Sequence, residues 1–106
     1  MEASMYLRSS GKPSKVPMRL CKQATRFFGR RLLGENLYHK LEITLRFETF
    51  KKNSNEYAYC EWDDDNHRCR EFTITLDKNL TKRQTLLAIA HEMVPVKQYA
   101  KGELKD

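Results

Sequence analysis

No stretch of this chain is apolar for long. The longest such run, Leu86 to Ala90, falls far short of the ~20 residues a membrane-spanning helix needs. The first residues are polar and basic and lack the apolar core of a secretory signal. A soluble, cytoplasmic protein without a membrane partner is therefore expected. Cysteine is scarce: Cys21, Cys60 and Cys69 are the only three, which excludes a disulfide framework. There is no internal repeat, no low-complexity tract and no phosphate-binding glycine loop. Nor is there a Ser/His/Asp arrangement or a cysteine in a nucleophile's setting.

What is present fits one small domain. The chain has 106 residues, 40 % of them apolar, enough for a modest core. The net charge of +6 is unevenly placed: residues 1–34 carry eight Lys/Arg against one Glu, and the remainder twelve against thirteen acids. Residues 1–15 are rich in Ser, Lys, Gly and Pro and read as a flexible basic arm, anchored at most by Met5-Tyr6-Leu7. Residues 16–106 form the expected domain.

Pro17 suits the first turn of a helix. From there Met18, Cys21, Thr25, Phe28 and Leu32 recur at helical spacing, and Gly34 offers a stop. A helix over 17–33 follows, with Arg19, Lys22, Arg26 and Arg30 on a separate stripe. Leu41, Ile43, Leu45 and Phe47 alternate with polar residues, as in a half-buried strand. Lys51 to Asn55 reads as a loop. Segments 56–62 and 68–76 flank Asp63-Asp64-Asp65-Asn66 and read as a hairpin. A turn centred on Asp64-Asp65 puts Tyr57 and Tyr59 on one face with Phe72, Ile74 and Leu76. It also sets Cys60 opposite Cys69. Thr81 and Gln84 match a capping box, opening a last helix with Leu86, Leu87, Ala90, Met93 and Val94 as its buried face. The expected fold class is α+β: helix, three antiparallel strands, helix.

On that last helix, His91-Glu92-Met93-Val94-Pro95 is HExxH with the second histidine replaced. In HExxH two imidazoles one turn apart share a zinc ion, and the glutamate works a metal-bound water. Pro95 ligates nothing. Its missing N–H is the donor that would reach the carbonyl of His91, at a cost of about 3 kcal/mol in a helix interior. A kink or break at 91–95 is expected, with 96–106 frayed or redirected. That would expose Met93, Val94 and Val96 for pairing between chains. The longer pattern HExxHxxGxxH calls for Gly at 98 and His at 101, where Gln98 and Lys101 stand. Spacing alone leaves His91 and Glu92 as ordinary helix residues or as remains of a metal site.

The wording around the motif is more specific. Leu86-Leu87-Ala88-Ile89-Ala90-His91-Glu92-Met93-Val94-Pro95-Val96-Lys97-Gln98 resembles the active helix of SprT-like zinc metallopeptidases, particularly the small phage-type members. Those read LLxxxHEMVHVKQ or close to it. The resemblance is specific over about 20 residues, and the element order before it, through Phe72 to Asp77, is similar too. It implies a zincin-like scaffold whose sheet edge lies beside the active helix, where a peptide docks by strand addition. It implies His91 as first zinc ligand and Glu92 as general base. The second ligand position is Pro95, and the third lies downstream with no counterpart up to Asp106; Glu103 is the one nearby acid besides it. The expected function is that of a degenerate or truncated metallopeptidase, inactive as written, with zinc belonging to intact relatives.

A different class remains open. Arg19, Lys22, Arg26 and Arg30, with Lys12, Lys15 and Arg31 nearby, form a stripe that suits either a solvated helix face or a phosphate backbone. On that reading the chain is a non-catalytic basic module that binds nucleic acid without sequence preference, or a host protein as a phage-type inhibitor. Cys60, His67 and Cys69 beside Asp63 to Asp65 match no common zinc spacing. Trp62, Tyr57 and Tyr59 are candidates for base stacking or for packing. His39 receives no role.

Overall fold

The computed structural model describes residues 5–51, 56–62 and 70–102. The element order is β1 (Tyr6–Ser10), α1 (Met18–Leu33), α2 (Glu35–Tyr38), β2 (Glu42–Glu48), β3 (Ala58–Trp62), β4 (Glu71–Asp77) and α3 (Lys82–Ala100). The fold is α+β, with one four-stranded sheet in the order β1-β2-β4-β3.

The sheet is mixed, which corrects the antiparallel expectation. β1 pairs with β2 and β2 with β4 in parallel, and only β3 runs antiparallel, at the edge beside β4. Strand neighbours are set by how the chain crosses over, and a sequence pattern reports only that a strand exists. β1 is a second correction. Residues 6–10, read as part of an arm, form a sheet edge: Met5 is buried, and the Tyr6 amide donates to the Leu41 carbonyl at 3.0 Å. The anchor at Met5-Tyr6-Leu7 is thus the start of a strand. Its side chains are mostly exposed, so it carries no apolar alternation to betray it.

β2 forms as its alternation predicts, with Leu41, Ile43, Leu45 and Phe47 all buried. Ile43, Leu45 and Phe47 stand beside Phe72, Ile74 and Leu76 of β4, so cross-strand partners build one continuous apolar face. The hairpin register differs from expectation. Ala58, Cys60 and Trp62 oppose Leu76, Ile74 and Phe72, and Tyr59 opposes Thr75. The pairing is offset by an odd number of positions from a turn centred on Asp64-Asp65, and an odd offset exchanges the two faces. Tyr59 therefore lies with Thr75 on the far face, and Cys60 has Ile74 opposite it in place of Cys69. Residues 63–69, which include Cys69, His67 and the three aspartates, lie outside the described residues, as do 52–55, Glu103 and Asp106.

α1 begins after Pro17 and ends at Gly34, whose φ of 80° suits a residue without Cβ. Cys21, Thr25, Gly29 and Leu33 are its buried positions, with Met18, Phe28 and Leu32 partly buried against the core. α1 packs on α3, and α3 packs on β3 and β4. Among the described residues no helix is long and apolar enough to cross a membrane.

Candidate functional site

α3 opens with the predicted capping box. The Gln84 amide donates to Thr81 Oγ1 at 3.2 Å, and the Thr81 amide donates to Gln84 Oε1 at 3.0 Å. These bonds satisfy two of the donors left free at a helix start. The helix then runs unbroken to Ala100, through Pro95, which overturns the expected break. Three anchors lie beyond the proline. Val96 and Ala100 are buried; the Arg70 guanidinium donates to the Ala100 carbonyl at 2.9 Å; and the Trp62 ring stacks on Tyr99 at 4.3 Å. A buried valine side chain alone contributes on the order of 1.5–3 kcal/mol, comparable to the penalty of an interior proline. The carbonyl deprived of its donor belongs to His91, an exposed residue, where water can bond it.

The face that α3 buries is rotated from the expected one. Thr85, Ala88, Ile89, Met93, Val96 and Ala100 point inward. Leu87 is 51 % exposed and Val94 43 %. Of the three residues expected to be laid bare by a broken helix, Met93 and Val96 are buried and Val94 is exposed on a continuous one.

Rotation of that face puts His91 in a distinctive place. Leu87, His91 and Val94 recur at helical spacing on the outer side of α3, and all three are exposed. Leu80, Gln84, Leu87 and His91 line one wall of a shallow cleft of about 220 Å³, and Tyr57, just before the edge strand β3, lines the other. The Tyr57 carbonyl accepts from the Asp77 amide at 2.9 Å, which fixes the backbone there. The hairpin register expected from the sequence turns Tyr57 toward the core, and so gives no pointer to this wall.

Glu92 sits about 100° further round the helix and is partly buried. Burial pushes its carboxyl above the usual carboxylate range, and the neighbouring His91 partly opposes the rise. That is the direction a general base needs. Pro95, one turn past His91, offers no lone pair, and among the described residues no three His, Cys, Asp or Glu side chains gather closely enough to hold a metal ion. The described residues around His91 therefore do not fit a zinc centre, which takes three or four protein ligands. His39, to which the sequence assigns no role, faces Glu35 at 2.9 Å on the far side of Gly34.

The basic stripe is only partly free. Arg19 and Arg26 are exposed and Lys22 is half-buried. Arg30 lies 3.7 Å from Glu35 and 5.3 Å over the Tyr38 ring. Beside them are Phe27, which lies outside the predicted stripe, and Arg31, which the sequence places near it. Phe27 is 55 % exposed, and the Arg31 guanidinium lies 5.6 Å from its ring centroid. Phe27 was legible in principle: the spacing through Phe28 leaves no room for Phe27 on the same face.

Compared with protein-family models, curated proteins and solved structures, the chain matches none.

Proposed function

We propose that this chain is a zincin-type scaffold of the SprT-like kind that has lost its zinc chemistry and keeps a peptide-binding cleft. The observation that carries the reading is the position of His91. It lies on an exposed apolar face of α3, across a cleft from Tyr57, which immediately precedes an antiparallel edge strand. An edge strand offers unpaired backbone groups to an extended peptide, and Leu87 and Val94 offer apolar contact beside it. With Pro95 in the second ligand position, hydrolysis is not expected of the chain as written, and no step through a metal is assigned to it.

Zinc binding by the full chain and by its Pro95→His variant tests the reading. A chromophoric chelator in competition reports affinity, and cobalt absorption reports coordination. The parent should hold no zinc at micromolar free metal. The variant, with two of the three or four ligands a zinc centre takes, should bind zinc more tightly than the parent but more weakly than a complete site, and should lose the gain when His91 is also changed to Ala. No gain in the variant would mean that residues 91 and 95 cannot share an ion, and the ancestry would fail.

A further inference from the structure

We infer that the outer face of α1 is a binding surface for single-stranded nucleic acid, with Phe27 as the platform for an unpaired base. This rests on α1 alone and is independent of the peptidase reading of α3. Gln23, Arg26, Phe27, Arg30 and Arg31 line one open concavity. Helical spacing aligns Gln23, Phe27 and Arg31 in one row and Arg26 with Arg30 in the next. Arg19 continues the charge about two turns toward the helix start.

The chemistry of the patch selects its partner. Phe27 is more than a lone apolar side chain: it lines a concavity with Arg26, Arg30 and Arg31 and borders a second one lined by Leu20, Ala24, Phe28 and Leu86, a contiguous patch of the kind that marks an interaction site. Here its ring is set edge-on to Phe28, centroids 5.3 Å apart and planes at 79°. Phe28 packs against the core, so Phe27 is held and not free to fold back. On the side away from Leu20 and Leu86 the charged groups near the ring are all cationic. Among the described residues, no carboxylate lies within ion-pair distance of Arg19, Arg26 or Arg31; Glu35 pairs with Arg30 and His39 instead. A partner must therefore be anionic and also present flat apolar faces between its charges. Unpaired bases on a phosphate backbone have both properties. A duplex hides its base faces in the stack, and an acidic peptide has charge without a planar face for each residue.

The test is fluorescence anisotropy of the full chain with a labelled oligothymidylate, a duplex of equal length and polyglutamate as competitor. The single strand should bind more tightly than the duplex, and polyglutamate should displace it poorly. Phe27→Leu keeps bulk and apolarity but removes the π face. It should weaken binding by about 5- to 150-fold, the range for removing one base stack, and Phe27→Trp should restore it. Since residue 27 is exposed, both variants should melt with the parent. Arg26→Ala with Arg31→Ala should lower the slope of log affinity on log salt by about 0.7 for each phosphate no longer neutralised. Equal binding of single strand and duplex, an unaffected Phe27→Leu variant or efficient displacement by polyglutamate would each overturn the proposal. The last outcome would assign the face to an acidic protein.

Discussion

The rings of Trp62 and Tyr99 stack with centroids 4.3 Å apart and planes 27° apart. Trp62 ends β3 and Tyr99 lies in the last turn of α3, so the stack fastens the edge strand to the part of the helix beyond Pro95. Together with the Arg70 bond to the Ala100 carbonyl, it explains why the proline does not end the helix.

The stack should therefore be energetically coupled to the helix end. Trp62→Ala should cost roughly 1–3 kcal/mol in urea unfolding, and a double-mutant cycle with Tyr99→Ala should give about 0.5–1.5 kcal/mol of coupling. Amide exchange in residues 96–100 should accelerate in either single variant. Additive effects, with no change in exchange, would show that the stack fastens nothing.

Pro95 is held in place at a cost. It forgoes a hydrogen bond to the His91 carbonyl and crowds that carbonyl with its ring. The packing of Met93, Val96 and Ala100, all buried, is unaffected by restoring an amide at position 95. Pro95→Ala should accordingly raise the unfolding free energy, by about 1–3 kcal/mol once the looser packing around the partly buried ring is offset. A variant less stable than the parent would mean that the ring's packing outweighs the backbone penalty.

How much of this was legible depended on where each residue's partners lie. The capping box of Thr81 and Gln84, the alternation of Ile43, Leu45 and Phe47, and the stop at Gly34 are encoded within a few residues, and each appears where the sequence places it. The sheet's parallel pairings depend on residues far apart in the chain, and β1 has no apolar alternation at all. On α3 the sequence supplies more apolar side chains than one face accommodates. Leu86, Leu87 and Val94 drew the buried face toward themselves, while the smaller Thr85, Ala88 and Ala100 take the inward positions that close packing favours. The same rotation exposes His91 and creates the cleft. The position of His91 on the helix was thus legible in the sequence, and the cleft beside it was not. Its far wall, Tyr57, depended on a strand register that the aspartate run misdirected by an odd offset.

Gly29 shows a dependence of the opposite kind, where a missing side chain makes room. A Cβ there would meet Tyr38 Cδ1 at 2.9 Å and Cε1 at 3.0 Å, with Met93 Cε at 3.6 Å. Tyr38 is fully buried, so its ring has little freedom to give way. Alanine improves helix propensity by about 1 kcal/mol over glycine, yet the overpacking costs about 1–3 kcal/mol. Gly29→Ala should be destabilising on balance, measured by chemical denaturation. If it stabilises the protein, α1 can shift away from α2 without loss, and the close approach of Tyr38 is not a constraint.

Cys21 gives a pH dependence with a definite sign. It is wholly buried on α1, and burial pushes its thiol from an ordinary value near 9 up to about 11. The fold disfavours the thiolate, so between pH 9 and 11 the unfolded chain releases a proton that the folded chain keeps. The unfolded state binds fewer protons there, and stability falls as pH rises through that window, by on the order of 2–3 kcal/mol if complete. Other groups titrate in the same range, so the comparison is with Cys21→Ala. That variant should be less stable near neutrality because it leaves a small cavity, and the gap to the parent should narrow as the pH climbs past 9. In the native parent at about pH 8, a thiol reagent should reach the half-buried Cys60 while leaving Cys21 unmodified until urea unfolds the chain. A gap that stays constant with pH, or rapid labelling of Cys21 in the native state, would show that the α1 interface admits water to this thiol.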